Sequence, residues 1–115
     1  MLDPTTGSKE KQNSNQIYER LYLDFNEQKY IQVIDESNKY ILDFNGESIV
    51  PKLEFLKALA VARVYGFKEY ERALTFIKLN YSTTVEGKEA ELILDEGDPF
   101  SKIKLDKSIS ILFIS

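Results

Sequence analysis

The segments "KYIQVIDESNKYI" (residues 29–41) and "EYERALTFIKLNY" (residues 69–81) write one pattern twice, forty positions apart. Tyr stands second in each. Tyr30, Val33, Ile34 and Ile41 of the first correspond to Tyr70, Ala73, Leu74 and Tyr81 of the second. At about 100° per residue these positions share one side of a helix. Ser37, Tyr40 and Phe44 extend that side in the first copy, while Gln32, Asp35, Glu36, Lys39 and Asp43 fall opposite. This is the periodicity of an amphipathic helix with one buried stripe. The pattern predicts helices over about 29–44 and 68–81. In the second, Phe76 and Leu79 sit outside the stripe and face another neighbour. Asn45-Gly46 supplies a left-handed stop after the first.

The segment between the copies, "PKLEFLKALAVARVY" (51–65), is apolar nearly all the way round, with Leu53, Phe55, Leu56, Leu59, Val61 and Val64. A helix of that kind is covered on more than one side. Pro51 suits a first helical turn, and Ala58, Ala60 and Ala62 let neighbouring helices approach closely. Gly66 ends it. Further out, "SNQIYERLYLDFNE" (14–27) repeats Ile17, Leu21 and Phe25 on one face, widened by Tyr18 and Tyr22. Asn13 with Gln16 reads as a capping box variant. "TVEGKEAELILD" (84–95) carries Val85, Ala90, Leu92, Ile93 and Leu94 behind a Thr83–Glu86 capping box, and Gly87 weakens it by about 1 kcal/mol. After "DEGDP" (95–99) the pattern changes. Ile103, Leu105, Ile109, Ile111 and Phe113 alternate with mostly polar residues, which predicts a C-terminal β-strand, or a hairpin of 102–106 with 109–114. Such a strand needs a partner, from further chain or from another protein. The expected organisation is a flexible lead over 1–13, a helical repeat domain over 14–95, and a linker with the strand over 96–115.

Composition narrows the function. With no Cys and no His, thiol and imidazole chemistry and most zinc or copper ligation are excluded. A net charge of −4 argues against general nucleic-acid binding and against an anionic membrane surface. No run approaches the roughly 18 apolar residues of a membrane span, so no direct membrane insertion is expected. The polar opening does not read as a signal peptide. "DFNGES" (43–48) lacks the ligand spacing of a calcium loop, and the carboxylates of "DEGDP" read as a solvated turn. Asn80-Tyr81-Ser82 fits a glycosylation triplet, but Tyr81 belongs to a core stripe. The pairs Asp35–Glu36 and Glu89–Glu91 lie on polar faces with nothing to shift their pKa values. No enzymatic activity and no cofactor are expected.

Two amphipathic helices per unit, recurring, describe stacked helical hairpins in which 51–65 is the sandwiched element. "YERAL" (70–74) resembles the stretch opening the second helix of tetratricopeptide repeats. "NYSTTVEGKEAELIL" (80–94) is similar to the junction between such repeats, with Ser82 in place of the usual proline. Together with "PKLEFLKALAVARVYG" the region resembles the repeats of large periplasmic lipoproteins of the SprE/PorW type, from the type IX secretion and gliding apparatus of Bacteroidota. The likeness spans roughly residues 16–95. The period of forty exceeds the roughly 34 typical of the class, the extra residues lying around "FNGESIV". The first unit lacks small residues in its first helix, and two units are few where arrays need at least about three, as in a segment of a longer array.

The expected fold is all-α, antiparallel helical hairpins stacked as a short tetratricopeptide-like solenoid, with the C-terminal strand or hairpin read from alternation, and the expected role is a non-catalytic protein–protein interaction scaffold. The resemblance implies a place in a secretion and gliding motility assembly at the periplasmic face of the outer membrane. Other proteins of that assembly would be its partners. Tyr18, Tyr22 and Tyr65 are the interface candidates, since Tyr offers large rigid contact area. Lys57 and Arg63 would line the inner groove and attract an acidic segment. Ile111 and Phe113 would extend a partner's sheet. The alternative is a regulatory domain whose helices close around a small ligand or peptide beside Arg63.

Overall fold

The computed structural model describes residues 2–97, with side chains from Ser14 onward. Among the described residues the chain is all-α. Five helices follow one another, α1 (Leu2–Asn26), α2 (Tyr30–Asp43), α3 (Ile49–Tyr65), α4 (Phe67–Asn80) and α5 (Val85–Glu96). Each packs on the next, and α1 and α5 both also pack against α3. The expected strand, with Ile111 and Phe113, lies outside the described residues.

The sandwiched position of α3 follows from its all-round apolar surface. Leu53, Leu56 and Ala60 join Leu21 of α1 and Val33 of α2 in one cluster, with Ile17, Phe25, Tyr30 and Ile34 packed around it. Ala58 joins Leu74 and Ile77 of α4 and Ala90 of α5 in a second, with Phe55, Tyr70 and Ile93 around it. Leu53, Ala58 and Ala60 are fully buried. Full burial of one such leucine contributes about 1.5–3 kcal/mol. The buried alanines permit the close approach that their size allows. Apart from Lys52 in its first turn, α3 is exposed at its end, at Arg63, Val64 and Tyr65.

The two tyrosine-led segments are α2 and α4, flanking α3 on either side. Their buried lines are shifted against each other. Val33 and Ser37 are the buried residues of α2, whereas α4 buries Leu74 and Ile77, the counterparts of Ile34 and Ser37. The stripe therefore sits rotated by part of a turn between the copies.

The connections correct several expected boundaries. Helix α1 runs unbroken from Leu2, so Asn13 lies within it and is not a cap, and residues 2–13 belong to the helix instead of forming a separate lead. Pro4 falls in its first turn, where a missing N–H is tolerated, and Lys9 to Gln12 are good helix formers. The α1 end is a Schellman motif: the Lys29 N–H bonds the Asp24 carbonyl at 2.9 Å and the Gln28 N–H bonds that of Phe25 at 2.9 Å. Gln28 takes the left-handed position, φ 67°, usually given to Gly. Gly66 alone joins α3 to α4, at φ 96° and ψ −177°.

The cap of α5 is Thr84, one residue later than the expected Thr83. Thr84 Oγ1 accepts from the Gly87 N–H at 3.0 Å and donates to the Tyr81 carbonyl at 2.7 Å. With Gly at the third helical position there is no Glu side chain to reach back. The Thr84 N–H instead bonds the Tyr81 carbonyl at 3.0 Å. Gly87 is buried, and a Cβ on it would collide with that same carbonyl. The residue that weakens α5 locally is thus the one that lets α5 start against the end of α4.

Candidate interaction surface

Tyr18 and Tyr22 sit one turn apart on α1, and i, i+4 spacing stacks their rings, with centroids 6.4 Å apart and planes at 29°. Tyr18 is half-buried against the first cluster. Tyr22 and Leu23 next to it are 48% and 60% exposed, which makes this an uncovered apolar stretch. Together with Glu19 the three line a shallow groove of about 370 Å³. Burial, then the neighbouring Tyr22, then the Glu86 carboxylate raise the Tyr18 phenol above its usual range. The phenol is therefore neutral and able to donate a hydrogen bond at neutral pH.

Glu86 stands in the first turn of α5. It lies 3.6 Å from Lys52 Nζ of α3. That ion pair links the first turns of α3 and α5.

The two cations expected to draw an acidic partner already have partners within the chain. Lys57 Nζ donates to Asn38 Oδ1 of α2 at 2.9 Å and lies 3.3 Å from the buried Glu54 carboxylate. It borders a second groove of about 350 Å³ between α3 and α4, with Val61, Arg72 and Phe76. The Arg63 guanidinium lies over the rings of Phe25 and Tyr30, at 5.5 and 5.8 Å from their centroids, and 3.5 Å from the Tyr30 hydroxyl. Arg63 therefore ties α3 to the α1–α2 turn. Tyr65, at the end of α3, is 60% exposed. The structure brings Tyr18 and Tyr22 together; Lys57, Arg63 and Tyr65 are apart from them. Ile111 and Phe113 lie outside the described residues.

Sequence reasoning missed a polar cluster on the other flank of α1. The buried Asp24 carboxylate faces Arg20 Nη1 at 3.4 Å and Gln32 Nε2 at 3.3 Å. Arg20 Nη2 reaches Glu36 of α2 at 2.7 Å. That close pairing is the main reason the guanidinium is held still more firmly protonated than usual. The i, i+4 spacing of Arg20 and Asp24 was the available signal. The reach to Glu36 needs α2 in place. Among the described residues no group of three or more acidic side chains is arranged to hold a metal ion, and no helix is long and apolar enough to cross a membrane.

No known protein family, curated protein or solved structure matches the chain.

Proposed function

We propose that this chain is a non-catalytic protein–protein interaction scaffold. Its helices would form stacked antiparallel hairpins of the tetratricopeptide-like kind, a segment of a longer array in a protein secretion and gliding motility complex at the periplasmic face of an outer membrane. The enclosed α3 supports the hairpin reading: the two tyrosine-led helices flank it, and α1 and α5 both rest on it. One observation carries the docking role. The stacked Tyr18–Tyr22 pair with Leu23 leaves an apolar groove uncovered on α1. Tyr is suited to this because it offers area at little entropic loss. The placement in a secretion assembly rests on the sequence resemblance alone.

The test is affinity capture with the whole chain from extract of its source cells, beside a Tyr22→Ser/Leu23→Ser double variant that keeps the fold. A stable complex with defined proteins, lost with the double variant, is the expected result. Recovery of the chain alone under gentle conditions, or a complex indifferent to the double variant, would overturn the reading.

A further inference from the structure

The turn between α2 and α3 contains Asn45 followed by Gly46, both exposed. Gly46 has φ 85°, and nothing lies within 4 Å of the place a Cβ would take. The N–H groups on either side are engaged: that of Asn45 bonds the Leu42 carbonyl at 3.4 Å and that of Glu47 the Phe44 carbonyl at 2.9 Å. The Gly46 N–H makes no hydrogen bond among the described residues, and neither does the Asn45 side chain. A side-chain amide and the backbone nitrogen that can attack it therefore stand side by side, open to water and unrestrained.

We propose that Asn45 is a site of spontaneous deamidation. The deprotonated Gly46 backbone nitrogen attacks Asn45 Cγ. The new N–Cγ bond closes a five-membered succinimide, and the Cγ–Nδ2 bond breaks. Nδ2 leaves as ammonia after taking up protons from water. Water then opens the ring at one of its two carbonyl carbons. Cleavage at Cγ gives aspartate with the ordinary backbone. Cleavage at the main-chain carbonyl gives isoaspartate, with the backbone running through Cβ and Cγ. The sum is one water consumed and one ammonia released.

Asn26, Asn38 and Asn80 are protected by the same criteria. Asn80 donates its amide to the Phe76 carbonyl at 2.9 Å, and the next N–H, of Tyr81, bonds the Ile77 carbonyl at 2.8 Å. Asn38 lies within α2, and its Oδ1 accepts from Lys57. After Asn26, the Glu27 N–H bonds the carbonyls of Leu23 and Asp24. In each case the following residue also carries a Cβ that crowds the nucleophile.

The two products differ in consequence. Aspartate places a carboxylate shortly before α3, whose first turn has no acidic residue and whose Ser48 cap makes no side-chain bond. A negative charge there complements the positive end of the helix. Isoaspartate lengthens the turn by one backbone atom, which strains the packing of α2 on α3.

The test is to incubate the full chain in neutral and mildly alkaline buffers and follow each asparagine by peptide-resolved mass spectrometry. Asn45 is expected to convert on the order of tenfold faster than Asn26, Asn38 or Asn80, since only it precedes a residue without a Cβ. The rate should rise in proportion to hydroxide and yield both aspartate and isoaspartate. Asn45→Gln should stop it, because the larger ring closes slowly. Gly46→Asn, which still accepts a left-handed backbone, should slow it several-fold. Conversion of Asn45 no faster than that of Asn38 and Asn80, or an unchanged rate in Gly46→Asn, would overturn the proposal.

Discussion

Arg63 places its guanidinium 5.5 Å from the centroid of the Phe25 ring, so that the last turn of α3 closes over the last turn of α1. The same group faces Tyr30, whose ring meets Phe25 edge-on at 5.2 Å. Cation–π contacts at exposed sites contribute about 0.5–1 kcal/mol each. Arg63→Met keeps the bulk and removes the charge, and should lower stability by about 1 kcal/mol. Arg63→Lys should lose less. Urea denaturation of the three proteins checks this, and an unchanged midpoint for the Met variant would count against a tethering role.

Two turn residues with positive φ should respond in opposite directions. Gly66 sits at φ 96° and ψ −177°, a region closed to side chains although the space is empty. Gly66→Ala should therefore destabilise through backbone strain alone, by about 1–3 kcal/mol. Gln28 holds a left-handed position without being Gly. Gln28→Gly should raise stability by roughly 0.5 kcal/mol, strain relief outweighing chain entropy. Thermal melting reads both.

Gly87→Ala poses a contest between local and tertiary terms. Helix propensity alone predicts a gain of about 1 kcal/mol. The collision of the new Cβ with the Tyr81 carbonyl should reverse that sign and leave the variant less stable by about 1–3 kcal/mol. A more stable variant in the same melting experiment would mean that the α4–α5 junction relaxes freely.

Ser37 is fully buried in α2, and its hydroxyl has no hydrogen-bond partner among the described residues. An unpaired buried hydroxyl is unfavourable by about 1–3 kcal/mol, so Ser37→Ala should stabilise by about 1 kcal/mol. Ser37→Ile, which copies its counterpart Ile77, should do the opposite by overpacking. Chemical denaturation of the pair decides; a destabilised Ala variant would point to a hydroxyl contact made in solution.

Tyr18, Tyr70 and Tyr81 are all raised above 10.0, chiefly by burial. The folded chain thus holds these protons more tightly than the unfolded one. Their contribution is fully present below pH about 10 and disappears as pH climbs through the folded-state values. Stability should stay flat with respect to these groups through neutral pH and fall in the alkaline range. Tyr70→Phe should flatten that fall. Denaturation midpoints from neutral to strongly alkaline pH, beside ultraviolet titration of tyrosinate, test the sign.

Helices α2 to α5 could be read from the sequence, with ends within about two residues, because each carries a stripe or an apolar girdle whose period only a helix satisfies. The enclosure of α3 was legible for the same reason, since Leu53, Phe55, Leu56 and Ala58 cannot all face one neighbour. The first half of α1 was not, because polar residues from Lys9 to Gln12 have propensity but no stripe. The α5 cap was misplaced because Thr83 and Thr84 are equivalent as cappers. The choice between them accompanies the approach of Gly87 to Tyr81, a contact across two helices. At the candidate surface, the Tyr18–Tyr22 pair follows from spacing within one helix. The partners of Arg63 and Lys57 do not, since Phe25, Tyr30 and Asn38 come from elements whose positions no local pattern reveals.

Tyr81 belongs to both apolar clusters, the one that α3 shares with α1 and α2 and the one it shares with α4 and α5. The halves of the molecule are therefore not separable foldons. Loosening the α4–α5 junction exposes a ring on which the far cluster also leans. Slow amide protons on either side of α3 should then exchange with deuterium through one shared opening, with a common free energy.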